Sequence, residues 1–468
     1  MKKRIVLIIA ALLVAAQAFG QAKYVFFFIG DGMGVNQVNM AEMYLKAQQN
    51  ELGYGQFCFT NFPVASVATT YSASSNVTDS AASGTALATG TKTTNGHLGV
   101  DPDGNKLTSI AKIAKKNGKK VGIVTTVGVN HATPGAFYAG QKGRGMYDEI
   151  VYDLVASDFD FLAGSEFLRN APDNRKFPDA KNIVEDAGYK VVGSVEEFQQ
   201  EYASASKMVM VPDKDHKVAY AIDRIAANND SYISLKQIVE STITFLTKDK
   251  KSNGFFIMAE GGRIDYSCHG NDAATCIQEI IDFDDAIKVA YDFYLKHPKE
   301  TLILVSADHE TGGLAVVPNN AKQVQLINNQ KVSEDTITAA LKAKMREKGR
   351  EPISWDEMKD FLKEYFGFWD KVRLSPDDDL VFFDIYTQTI AKSRAGKVAD
   401  EYGYHEDASI VSAAVDFLNR KAGFLFSTGG HSSGFVPVYA IGVGQEKFNA
   451  KMDNAKLPMI IKEIAKYK

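Results

Sequence analysis

Residues 24–34 read YVFFFIGDGMG. The first seven of them form a continuous apolar run with no polar alternation. That is the pattern of a strand buried on both faces of a sheet. Three further runs share it: KVGIVTTV (120–127), GFFIMA (254–259) and TLILVSA (301–307). Between them lie stretches of helical character, including LTSIAKIAKKNGKK (107–120) and IQEIIDFDDAIKVAYDFYLKH (277–297). Strands that alternate with helices predict an α/β fold, a three-layer α/β/α sandwich around a large, mainly parallel sheet.

Each strand leads into polar residues. The first is followed by Asp31, the second by NHATP with His131 and Thr133, the third by Glu260 and GGRIDYSCHG, the fourth by Asp308 and His309. In open α/β sheets ligands bind at the carboxyl ends of strands, so these groups should converge on one edge. Taken singly, a carboxylate after a strand is a helix cap. Four successive strand ends carrying ligand-type residues are not explained by capping. Asp265 and His269 are four apart and project from one helix face. His431 lies in the small-residue turn STGGHSSG (427–434). The mixture of imidazole and carboxylate in Asp31, Glu260, Asp265, His269, Asp308, His309 and His431 suits zinc, and an all-oxygen set suits magnesium. Cys268 would point about 100° away from His269 on a helix and is read as no ligand.

The 468 residues are 45% hydrophobic and 24% charged, enough for a large core. The net charge of −4 disfavours nucleic-acid recognition. Residues 1–20 combine the basic MKKR, the apolar IVLIIAALLVAA and the small-x-small site Ala18-Phe19-Gly20. This is the pattern of a secretory signal peptide cleaved after Gly20, implying a periplasmic or secreted product without a membrane anchor. Three cysteines are too few for a disulfide framework, and whether Cys268 and Cys276 pair stays open.

The motifs resemble those of the alkaline phosphatase family. They are DGMG (31–34), VTDSAASGTALATGTKT (77–93), HATPGAFYAG (131–140) with Arg144 downstream, EGGRIDYSCH (260–269), SADHETGG (306–313) and GGHSSG (429–434), in the family's order. The resemblance implies two Zn2+ and one Mg2+ per chain and hydrolysis of phosphate monoesters through a phosphoserine, with inorganic phosphate as product. It implies Ser80 as nucleophile and Arg144 as the arginine that grips phosphate. Asp265, His269 and His431 match the ligands of the zinc facing the leaving group. Asp31, Asp308 and His309, with Ser80, match those of the zinc that activates the serine. By the same resemblance Asp31 would also bridge to the magnesium position, completed by Thr133 and Glu260. Asp79, His131 and Tyr266 would stand beside these ligands. His131 replaces the aspartate of the best-studied bacterial type, as in animal members. Tyr266 stands where that bacterial type has lysine and animal members have histidine.

Residues 21–468 are thus expected to form one catalytic domain, with insertions at about 145–250 and 320–420 that could shape substrate access or a homodimer interface. A phosphodiesterase or other hydrolase of the same superfamily, and an exported non-catalytic metal- or phosphate-binding protein, are the competing readings. Arg144 argues against the first and an intact ligand set against the second. In TDSAASGTALATG (78–90) Ser80 is the reactive hydroxyl, while Ser83, Thr85 and Thr89 are expected to face the helix surface or bond back to the helix.

Overall fold

The run at 24–30 is a central strand of a ten-stranded sheet. A computed structural model describes residues 20–170, 178–213, 216–229, 231–249, 251–349, 351–394 and 410–468. Of the residues 1–20 expected to form a leader, 1–19 lie outside the described residues. In chain order the first eight strands are β1 (Tyr24–Gly30), β2 (Val64–Thr69), β3 (Lys120–Thr125), β4 (Phe161–Ala163), β5 (Lys190–Val192), β6 (Met208–Met210), β7 (Phe255–Gly261) and β8 (Thr301–Ser306). Then come β9 (Glu310–Thr311), β10 (Ala315–Val316), β11 (Phe424–Leu425), β12 (His431–Ser432), β13 (Val436–Gly442) and β14 (Met452–Asp453). The large sheet runs β14-β2-β13-β8-β1-β7-β3-β4-β6-β5. Its pairings are parallel except for β13, which is antiparallel to both neighbours. The α/β class with a mainly parallel sheet is therefore correct.

Val25 to Ile29 are fully buried, so both faces of β1 are covered. Neighbouring side chains of a strand point to opposite faces. Phe28 meets Phe283 of the helix Ala273–Lys296 edge to face, while Phe27 meets Phe137 across the other layer. The register places Ile29 opposite Glu260 on one side and Ser306 on the other. Thr125 also stands opposite Glu260. The four strand ends foreseen from sequence thus lie level along one edge.

Residues 145–250 lengthen the sheet, contributing β4, β5 and β6 at its far end. Among the described residues, 320–420 is helical, with helices at Glu334–Lys348, Trp355–Phe366, Pro376–Arg394 and Ile410–Ala422. The helix Trp355–Phe366 stops there because Gly367 turns to a φ of 69°. Among the described residues no helix is long and apolar enough to cross a membrane.

Glu279 is a buried carboxylate on the helix that covers Phe28. It accepts the Ala221 N–H at 2.6 Å. Burial, then the nearby Asp282 charge, push its pKa up to about 8. A folded pKa above the unfolded value of about 4.3 means that folding free energy is lost as pH rises through that window. Glu279→Gln keeps an acceptor for Ala221 and removes the charge. Denaturant unfolding should show the variant gaining on the parent from about pH 5 to about pH 8, by on the order of a few kcal/mol at the upper end. A difference that does not change with pH would contradict this.

Candidate active site

Ser80 is the first residue of the helix Ser80–Thr89. Asp79 caps that helix: its Oδ1 accepts the N–H of Ala82 at 3.0 Å and of Gly96 at 3.0 Å. Its Oδ2 takes a 3.1 Å bond from Arg144. A helix start of this kind directs backbone N–H groups and the positive end of the dipole toward an anion. Ser80 Oγ lies 3.2 Å from His309 Nε2. The same nitrogen is 3.4 Å from Asp31 and 3.3 Å from Asp308. All four residues are buried.

His269 and His431 face each other, Nε2 to Nε2, at 3.2 Å. Asp265 lies 3.2 Å from His269 Nε2 and 3.8 Å from His431 Nε2. His269 Nδ1 is 2.6 Å from the Gly429 carbonyl, and His431 Nδ1 is 2.8 Å from that of Thr78. Carbonyls only accept, so each Nδ1 carries the proton. Two bare nitrogens and a carboxylate are left pointing into one space. Lone pairs in that arrangement repel unless a cation sits among them, and metal-bound histidines are oriented by this kind of Nδ1 contact.

The inner carboxylates make the same demand. Both oxygens of Asp31 and one of Glu260 are buried without a hydrogen-bond partner. The other Glu260 oxygen accepts from the Thr125 hydroxyl. Asp308 accepts the N–H groups of Gly32 at 3.1 Å and His309 at 2.9 Å. Burial and the charges of Asp308, Asp265 and Glu260 raise the Asp31 pKa well above the ordinary range. Burial raises Glu260 to about 8, and burial with the Asp265 charge raises Asp308 to about 7. Asp265 is the exception: although buried, its bond to His269 and the neighbouring histidines hold it well below the usual value. Three sets of donors each lie within 4.8 Å of one another: Asp265, His269 and His431; Asp31, Asp265 and His309; Asp31, His131 and Glu260. The residues present fit bound divalent cations.

Every residue singled out from sequence is therefore in one place. Thr133 directs its hydroxyl to Asp308 at 3.5 Å. His131 comes close to the Asp31 and Glu260 carboxylates, but its Nε2 is 3.2 Å from an Arg144 N–H. Arginine only donates, so Nε2 accepts and the proton sits on Nδ1. His131 in that state stands beside the oxygen ligands and does not join them. Tyr266 stacks edge-on against His131, ring centres 5.9 Å apart.

Thr85 and Thr89 bond back to Ala81 and Thr85 carbonyls at 2.7 Å, as expected. Ser83 is different. It is buried, donates to the Asp308 carbonyl at 2.5 Å and accepts from Asn454 at 2.9 Å. It does not face the helix surface, because the helix packs directly under the β8 end. Cys268 and Cys276 are free thiols with sulfurs 3.5 Å apart. Sequence reasoning passed over Thr311, which touches Asp265 and His309. It also passed over Asn454, far from any motif, for which the sequence offers no signal. Thr311 lies inside SADHETGG, so its position between ligand-type residues was the available cue.

Comparison with known proteins agrees with this geometry. The family model described as alkaline phosphatase matches residues 22–467. Alkaline phosphatase 4 of Bacillus subtilis (strain 168) is 32% identical over 397 residues, covering 84% of this chain and 77% of its own. Alkaline phosphatase 3 of the same organism is 29% identical over 450 residues, covering 93% and 87%. The structure of alkaline phosphatase from the Antarctic bacterium TAB5 superposes with a TM-score of 0.66 at 27% identity, covering 96% of this chain and 99% of its own. A variant of that enzyme is described with Mg bound in its M3 site. A chain matched along nearly its whole length, whose sheet edge gathers a capped serine, an arginine and buried donor groups that fit cations, belongs to the alkaline phosphatase family of phosphomonoester hydrolases.

Proposed function

We propose that this chain is an exported phosphomonoesterase that forms a phosphoserine on Ser80 and works with two zinc ions and one magnesium ion. The observation that carries this reading is Ser80 Oγ at a helix start, 3.2 Å from His309 Nε2, among buried carboxylate oxygens that lack partners. Asp265, His269 and His431 would hold one zinc; Asp31, Asp308 and His309, with Ser80, the second. Asp31, Thr133 and Glu260 would hold magnesium, an assignment supported by their oxygen donors and by the magnesium described in the Antarctic relative's variant. Bound cations supply Lewis-acid chemistry, lowering the proton affinity of a hydroxyl and neutralising charge on phosphate and on a departing oxygen.

The chain's own residues do the rest. Ser80 Oγ forms a bond to phosphorus as the ester P–O bond breaks and the alcohol leaves with a proton. Water then displaces Ser80 from the phosphoserine, releasing inorganic phosphate and restoring the hydroxyl. Arg144 presents a planar fork to two phosphate oxygens, its direction fixed by Asp79. Burial and the Arg144 charge hold the His131 pKa at about 3, so His131 stays neutral and adds no competing charge. Two successive in-line displacements give retention at phosphorus. The leader at 1–20 supports export, and the stretches at about 145–250 and 320–420 are read as insertions in a single catalytic domain.

Three outcomes are expected. Ser80→Ala should lower turnover of an aryl phosphate by at least about a thousandfold, measured as phosphate release; normal turnover would end the proposal. Exhaustive chelation should abolish activity, and metal analysis of the restored protein should return two zinc and one magnesium per chain. Phosphate binding without turnover in the restored protein would favour a non-catalytic role instead. Arg144→Ala should cut kcat/KM for monoesters by about a hundredfold while leaving diesters less affected, shrinking the ratio between them.

A further inference from the structure

Thr311 touches residues of both histidine-bearing donor sets. Its Oγ1 lies 2.6 Å from Asp265 Oδ1 and 3.2 Å from His309 Nδ1, and its side chain is buried. A threonine hydroxyl has one proton to give. Asp265, as a carboxylate, only accepts, so the proton goes there. The hydroxyl lone pairs are then left for His309 Nδ1, which must donate. His309 Nε2 is thereby the bare nitrogen, and it is the atom that faces Ser80, Asp31 and Asp308.

The backbone gives this hydroxyl little freedom. The Thr311 N–H donates to the Gly32 carbonyl at 3.1 Å, and Thr311 pairs with His431 in the β9–β12 ribbon. Gly32 has a φ of 70° and presses on the same spot: a Cβ there would sit 2.8 Å from Asp265 Oδ1 and 2.9 Å from Thr311 Oγ1. Thr311 is therefore held by its main chain on one side and by the DGMG turn on the other.

We propose that Thr311 is a positioning residue that couples the two zinc groups. One hydroxyl sets which nitrogen of His309 faces the nucleophile and which way the Asp265 carboxylate turns. This rests on the reading above that these residues hold zinc. Asp265 belongs to the first of these groups and His309 to the second, and Thr311 touches both, so a change at Thr311 is felt in both.

The test compares the full-length wild-type chain with Thr311→Val and Thr311→Ser, each stripped and reloaded with zinc. Competition with a coloured chelator resolves the two zinc affinities, independently of turnover. Valine keeps the branched shape but not the hydroxyl; serine keeps the hydroxyl. Thr311→Val should weaken both zinc affinities by about 10–100-fold, the range for groups that orient metal ligands. Thr311→Ser should stay within a few-fold of wild type. Wild-type affinity in Thr311→Val, weakening of only one zinc, or an equal loss in Thr311→Ser would each overturn the inference. If Thr311→Val does not fold, Thr311→Ala takes its place under the same criteria. A wild-type chain that binds no zinc would overturn the functional reading beneath it, which separates the two failures.

Discussion

Repulsion among Asp31, Glu260, Asp265 and Asp308 is the constraint around which the molecule is arranged. Carboxylates within a few ångströms of each other, removed from water, are strongly disfavoured as anions. The raised pKa values of Asp31, Glu260 and Asp308 express that cost. Left to themselves such groups would splay apart. Parallel strands prevent it: β1, β7 and β8 are adjacent, paired over six or seven residues, and their ends are level. The sheet thus holds in place a charge distribution that bound cations relieve without protonation, and affinity for metal follows from the backbone as much as from the ligands.

The second fixture is smaller. His431 reaches the site through β12, which pairs with β9 so that His431 stands opposite Thr311. Just beyond it, β10 pairs with β11, Ala315 opposite Leu425. The stretch from 317 to 423 therefore leaves and returns at one point beside the site. A long loop closed at its base costs little more than a short one, since closure entropy grows only with the logarithm of length. The stretch can vary in length while His431 keeps its place.

The strands and the edge on which the candidate site lies were legible because continuous apolar runs and the residues after them are local signals. What escaped has a physical reason in each case. The antiparallel direction of β13 depends on how the chain returns from the 320–420 region, which no local pattern encodes. The two-residue strands β9 and β12 are too short to show a period. Ser83 was misplaced because a small helix was read as surface, when its thinness lets the Asp308 carbonyl approach it at 2.5 Å. Asn454 joins that contact from the far end of the chain, a pairing that only the folded sheet creates.

Asp79 shows how few atoms set the reactive geometry. One of its oxygens fixes the start of the helix that carries Ser80, by holding the Ala82 and Gly96 N–H groups. The other fixes the guanidinium of Arg144. Ser80 and the Arg144 guanidinium are therefore both oriented from one carboxylate, which fixes their relative placement. An arginine paired in this way has already lost much of its rotamer freedom before any phosphate arrives, and that ordering cost is not charged to binding. The metal-facing donors show the same economy, with the Gly429 and Thr78 carbonyls each turning a histidine. The orientation of these side chains is the work of neighbours one hydrogen bond removed, which is why the motifs and their immediate flanks in sequence carry so much of the candidate site's geometry.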